Sequence, residues 1–264
     1  FDNENQLKMI ISKSNNFVFI KGRKVAGTSV EVGLSTLCTS DDILTPITPI
    51  DELLRLKSTG LMAQNYGANT NKLKRYRQAL IDSEQQTTLD WSSIRKPRGN
   101  YGGHMSLTDM EEAFGGFNND WTIIAITRCP YEQALSRIKH SASKQAVQER
   151  NTESLDAKSL LFQQAKKRFI EKALQQSIRT NVDLYKDAKQ DLRPTFYLRY
   201  ERLSLDYEIL MHKLGQTHVE PLPHLKKTNT TTRATPQGIF NPDEIKIINQ
   251  CFAEEFERFN YTLI

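Results

Sequence analysis

Two stretches of this chain combine basic side chains with backbone of the kind that binds anions. The first runs Phe17-Val18-Phe19-Ile20-Lys21-Gly22-Arg23-Lys24-Val25-Ala26-Gly27-Thr28-Ser29-Val30-Glu31. Its alternating β-branched and aromatic opening predicts a strand. Val30, Leu34 and Leu37 at helical spacing predict a helix, and two glycines lie between. Such a turn aims several backbone N–H groups and a helix N-terminus at one point, where an anion is stabilised. Gly22 and Gly27 stand at the spacing of the nucleotide loop GxxxxGK[ST], but Thr28 occupies the place of the phosphate-binding lysine. The lysine comes earlier, at Lys24.

A magnesium–nucleotide site also needs an acidic residue at the end of a neighbouring strand. The two best later strands, residues 121–127 and 195–200, lead instead into Arg128-Cys129 and through Arg199 to Tyr200-Glu201. An arginine there repels a divalent cation and attracts an anion. The second stretch is therefore Arg128-Cys129-Pro130-Tyr131-Glu132-Gln133-Ala134-Leu135-Ser136. Pro130 suits the first turn of a helix, which puts Arg128 on the loop before it and Ser136 about two turns inside. A guanidinium and a hydroxyl so placed can grip a further phosphate from two sides.

The elements that must position these residues alternate between strand and helix. Residues 5–12 read as a short leading helix or turn, 17–20 as the first strand and 30–37 as its helix. A proline-bearing loop follows, then a short helix at 51–57 and a basic helix at 71–81 with Lys72, Lys74, Arg75 and Arg77. Such a charged face is solvated or draws in an anionic acceptor. Residues 90–101 form a loop, and a helix begins at Thr108. Helices are expected from 131 to about 144 and from 155 to 189, where Leu160, Leu161, Ala165, Phe169 and Ala173 fall at core spacing. A helix follows the strand at 195–200 and stops near Gly215. The last helix is capped by Asn241 with Pro242 in its first turn. This alternation predicts an α/β chain with a mostly parallel central sheet and helices on both faces.

Together the two stretches resemble the PAPS-dependent sulfotransferases, PAPS being 3′-phosphoadenosine 5′-phosphosulfate. The pattern is most similar to the carbohydrate 2-O-type and bacterial members. In that family a Lys-(Thr/Ser)-(Gly/Ala)-(Ser/Gly)-Thr core holds the 5′-phosphosulfate, and an Arg-x-Pro segment with a serine eight residues after the Arg holds the 3′-phosphate. Lys24-Val25-Ala26-Gly27-Thr28-Ser29 matches the first and Arg128 with Ser136 the second. Val25 replaces the usual hydroxyl residue, so one donor is lost or supplied by Ser29. Tyr197-Leu198-Arg199-Tyr200-Glu201-Arg202-Leu203 resembles the family's Arg-Tyr-Glu-x-Leu turn. Phe256-Glu257-Arg258-Phe259-Asn260-Tyr261 is similar to its closing helix end. Lys226-Lys227-Thr228 resembles the segment that closes over the donor in 2-O-sulfotransferases.

The resemblance implies one sulfotransferase domain over 1–264 with a P-loop-like sulfotransferase fold, and helical acceptor-side insertions at about 40–100 and 140–190. It implies donor binding by Arg23, Lys24, Val25, Ala26, Gly27, Thr28, Ser29, Arg128, Ser136, Lys227 and Thr228, with PAPS as co-substrate and no metal. Sulfuryl transfer needs a cation on the leaving phosphate and a base for the acceptor's proton. Lys24 is the candidate for the first, unless it is a plain surface lysine. His104, on a glycine-flanked loop, is the candidate base, because imidazole is largely neutral near pH 7. The bland alternative is a packed or capping histidine. His224 is the reserve.

The rest of the composition sets bounds. The chain has 264 residues, 38% hydrophobic and 25% charged, with net charge +5. That favours anionic ligands without choosing among nucleotide, saccharide, nucleic acid and membrane surface. No run approaches a membrane span, and the first residues carry no signal-peptide pattern. A chain beginning with Phe is expected to have lost something upstream. Cys38, Cys129 and Cys251 are widely spaced and read as free thiols in a reducing compartment. A bacterial-type cytoplasmic enzyme is expected, with a Golgi-lumenal domain as the alternative. The expected acceptor is a saccharide or small-molecule hydroxyl or amine, and no nucleic-acid partner is expected. The rival readings are a P-loop kinase or NTPase, and a non-catalytic polyanion-binding module using Lys72–Arg77 and Arg95–Arg98.

Overall fold

The computed structural model describes residues 9–84, 91, 93–100, 105–148, 154–222 and 236–264. In chain order its elements are β1 (Met9–Ser12), β2 (Phe17–Ile20), α1 (Gly27–Leu34), β3 (Ile43–Leu44), α2 (Pro49–Thr59), α3 (Thr70–Ser83) and α4 (Leu107–Phe114). There follow β4 (Thr122–Thr127), α5 (Pro130–Gln148), α6 (Leu155–Leu174), α7 (Val182–Tyr185), β5 (Phe196–Arg199) and α8 (Leu203–Lys213). The chain closes with α9 (Pro236–Ile239), α10 (Pro242–Cys251) and α11 (Ala253–Arg258). It divides into two compact units, Phe1–Ile126 with Leu184–Lys227, and Thr127–Asp183 with Thr228–Ile264.

The first unit is built on a sheet of order β3-β1-β2-β4-β5. This corrects the expectation of a mostly parallel sheet. β2 and β4 are parallel, but β1 runs antiparallel to both β2 and β3. The cause is Met9–Ser12, which forms a strand where a helix or turn was expected. Its Met-Ile-Ile-Ser run is fully buried, and only a hairpin with β2 gives it backbone partners on that side. The hairpin turn is organised by Asp42. Its carboxylate accepts from the N–H groups of Lys13 (2.7 Å) and Thr39 (2.8 Å) and from the Ser14 hydroxyl (2.7 Å).

Both faces of this sheet are buried. Ile10, Phe17, Phe19, Ile124, Ile126 and Leu198 pack with Val30 and Leu34 of α1 and Tyr207, Leu210 and Met211 of α8. Ile11, Val18, Ile20, Ile123 and Ala125, which alternate with them, are buried as well. α2 and α3 pack through Leu53, Leu56, Tyr76 and Leu80.

The second unit is helical. Tyr131, Ala134 and Ile138 of α5 pack with Leu161, Ala165 and Phe169 of α6 and with Phe240, Ile248, Phe252 and Phe256. Leu160, expected in this core, is exposed, because its step along the helix from Leu161 turns it to solvent. The helix expected to continue to 189 ends at Leu174, and Gln176 adopts a left-handed conformation just beyond. α10 begins at Asn241 with a capping box to Glu244.

Candidate anion-binding site

β2 ends at Ile20, and the chain turns through residues 21–26 into α1. Two non-glycine residues of this turn, Lys24 (φ 62°) and Ala26 (φ 63°), are left-handed. Between them Val25 is fully buried in the core under the sheet. Left-handed geometry costs about 1–2 kcal/mol per ordinary residue, so the surrounding packing must enforce it. Val25 is the anchor: its side chain pins the middle of the loop while the residues on either side reverse. Any part Val25 takes in ligand binding is therefore through its backbone. Backbone that alternates hand in this way forms a concave nest of N–H groups.

Ala26 is the N-cap of α1 and makes no side-chain cap. The first-turn N–H groups consequently lack the side-chain oxygen that usually satisfies them, as an anion-binding helix start requires. Thr28 and Ser29, both half-buried, bring hydroxyls to the same turn. Arg23 and Lys24 are half-buried too.

Beneath the loop lies a charge cluster that sequence reasoning missed. Lys21 is 5% exposed, and its ammonium donates to Thr28 Oγ1 (2.9 Å) and Glu31 Oε2 (2.6 Å). The other Glu31 oxygen faces Arg55 Nη1 at 3.7 Å. Arg55 is fully buried; it donates to Glu52 through Nε (3.1 Å) and to the Thr45 carbonyl (2.9 Å). Glu52 also accepts from the N–H groups of Ile47 and Ala63. Two cations and two carboxylates balance, which is what permits their burial. A weak signal existed: Arg55 is embedded in Glu52-Leu53-Leu54-Arg55-Leu56, between residues that had to be buried.

The second unit holds the other stretch. Pro130 is the first residue of α5, as expected, and Arg128 lies on the preceding loop. Its guanidinium, 15% exposed, is paired with Glu132 Oε2 through Nε and Nη2, both at 3.2 Å. Ser136 is half-buried on α5. The Arg128 carbonyl accepts from Gln133 Nε2 (2.9 Å), and the same amide donates to the buried carboxylate of Glu255. Glu255 also accepts from the N–H of Asn181 (2.6 Å). Burial pushes the Glu255 carboxyl up, against the hydrogen bonds that favour its charged form. The backbone carrying Arg128 is thus braced from inside its own unit, through residues no motif indicated.

Because β2 and β4 are parallel neighbours, the two strands end at the same edge of the sheet. His104, Lys227 and Thr228, with the reserve His224, lie outside the described residues. Lys72, Lys74, Arg75 and Arg77 are all exposed on α3. No disulfide joins Cys38, Cys129 and Cys251, and burial pushes the Cys38 thiol up to about 12 and that of Cys251 to about 11. Among the described residues no group of three or more His, Cys, Asp and Glu side chains is arranged to hold a metal, and no helix is long and apolar enough to cross a membrane. Comparison with protein-family models, with characterised proteins and with solved structures finds no match.

Proposed function

We propose that this chain is a PAPS-dependent sulfotransferase that moves a sulfuryl group to a hydroxyl or amine of a saccharide or small-molecule acceptor. The observation that carries the reading is the loop after β2, where left-handed Lys24 and Ala26 flank buried Val25 and α1 starts without a side-chain cap. A nest at an uncapped helix start fits a phosphate. The resemblance assigns the 5′-phosphosulfate to that loop and the 3′-phosphate to Arg128 and Ser136. The exposed basic face of α3 favours an acceptor that is itself anionic.

In this reaction the acceptor oxygen or nitrogen bonds to sulfur while the bond from sulfur to the bridging phosphate oxygen breaks. 3′-phosphoadenosine 5′-phosphate departs, and the acceptor proton passes to the base assigned to His104. Lys24 offsets the charge growing on the bridging oxygen. Lysine and arginine supply the positive charge, so no metal is required.

The test is calorimetric titration with 3′-phosphoadenosine 5′-phosphate in the presence of chelator, followed by an acceptor library with labelled PAPS. Micromolar binding and label transfer are expected. Absence of binding, together with magnesium-dependent turnover of ATP, would replace this reading with a nucleotide kinase or NTPase.

A further inference from the structure

The bond between Lys21 and Thr28 says something about the loop that its motif residues do not. We infer that Lys21 is a positioning residue: held from below by Glu31, it fixes the Thr28 hydroxyl as a hydrogen-bond donor toward the anion at the start of α1. The identity of that anion, the 5′-phosphate end of the donor nucleotide, rests on the sulfotransferase reading.

The argument begins with donor inventory. An ammonium has three N–H donors and no acceptor, whereas a hydroxyl can do either. With Lys21 Nζ 2.9 Å from Thr28 Oγ1, the threonine oxygen must accept. Its own proton then points elsewhere. A threonine in the first turn of a helix ordinarily turns its hydroxyl to whatever backbone group is near. Here one of its two roles is already taken. The positive partner also polarises the O–H bond, making the hydroxyl a stronger donor to an anion.

Two further contacts hold the ammonium in place. Glu31 Oε2 accepts from it at 2.6 Å, and Glu31 is fully buried against Arg55. The stem of Lys21 lies across Gly27, where an added Cβ would stand 2.7 Å from Lys21 Cγ. That atom is near the base of the side chain and cannot swing aside without moving the ammonium. Lys21 is buried and Thr28 half-buried, so of the pair it is the threonine that stands within reach of a ligand. The lysine acts through the threonine.

A double-mutant cycle on the full chain tests this. Lys21→Met, Thr28→Val and the double variant are titrated with 3′-phosphoadenosine 5′-phosphate and with adenosine 3′-phosphate, which lacks the 5′-phosphate. Each single substitution should weaken the first ligand about tenfold, as expected for a bond to a charged group, and leave the second unchanged. The double variant should bind no worse than Thr28→Val alone, and Thr28→Ser should restore affinity. Equal weakening of both ligands by Lys21→Met, or independent effects in the double variant, would overturn the inference. Should Lys21→Met not fold, Gly27→Ala, which displaces the same stem, replaces it in the cycle with the same expectations and the same overturning outcomes. A wild-type chain that binds neither nucleotide removes the sulfotransferase reading and this inference together. Binding of 3′-phosphoadenosine 5′-phosphate without coupling removes the inference alone.

Discussion

Gly33 on α1 and Tyr207 on α8 meet with no room for a side-chain carbon between them. A Cβ at position 33 would lie 2.5 Å from the phenol oxygen of Tyr207 and 2.8 Å from Cζ. Helix propensity alone would make Gly33→Ala stabilising by about 1 kcal/mol. The contact is with a buried ring that has nowhere to go, and overpacking of this kind costs about 1–3 kcal/mol. The substitution should therefore lower the denaturant midpoint, and Tyr207→Phe, which removes the nearest atom, should recover part of the loss. A midpoint raised by Gly33→Ala would show that α1 and α8 separate freely.

The turn around Asp42 should make the fold acid-sensitive. Burial by itself would raise this carboxyl, but hydrogen bonds from Ser14, Thr39 and Lys13 hold it below the usual range. A carboxyl lowered on folding adds stability that is present above its unfolded value and lost as pH falls through its folded value. Asp42→Asn should cost about 1–3 kcal/mol near neutral pH, since charged acceptance of several donors is lost. The difference from wild type should shrink as pH falls below the ordinary carboxylate range. A difference constant from neutral pH into strong acid would assign the effect to shape rather than charge.

Arg128→Ala should weaken 3′-phosphoadenosine 5′-phosphate by about 2 kcal/mol or more, because a charge-assisted pair is lost. Adenosine 5′-phosphosulfate should hardly register the change. Glu132 already occupies two donors of this guanidinium, so Glu132→Gln should tighten the bisphosphate by weakening its competitor. Equal loss of both nucleotides in Arg128→Ala would reduce Arg128 to a support for the α5 start.

His104 and Lys24 should separate by kinetic signature. If His104 is the base, His104→Ala should lower turnover about a hundredfold while donor affinity stays near wild type. Lys24→Ala should damage both affinity and rate, since the role proposed for it is contact with the leaving group before and during transfer. Wild-type turnover in His104→Ala would pass the role to His224 or to a carboxylate among residues 40–100.

Long periodic elements were legible from the sequence. α3 spans Thr70–Ser83 against an expected 71–81, and Asn241 caps α10 as its sequence requires. The strands at 17–20 and 121–127 were readable because their apolar runs are buried on both faces. β1 and β3 were not. They are short, and what makes them strands is their pairing, β1 with β2 across a hairpin turn and β3 with β1 from far along the chain, which the local pattern does not show. Lys21 and Arg55 drew no reading from the sequence: both are held by Glu31 on α1, and the local pattern connects neither the end of β2 nor α2 to that carboxylate. The left-handed backbone at Lys24 and Ala26 was hidden because the sequence signals such geometry only with glycine. For Arg128 and Ser136 the spacing placed both residues on their elements, but not the pairing with Glu132.

The mixed order of the sheet also sets a sequence of events in folding. β1 and β2 are joined by a tight turn, and hairpins of that size close in about 1–10 μs. The parallel partner of β2 is β4, whose Thr122 sits opposite Phe17, so that ladder waits for a very long loop to close. β2, which launches the anion loop, therefore acquires one neighbour early and stands for a time with its other edge bare. Pulsed hydrogen exchange during refolding should find the β1–β2 amides protected before those that join β2 to β4.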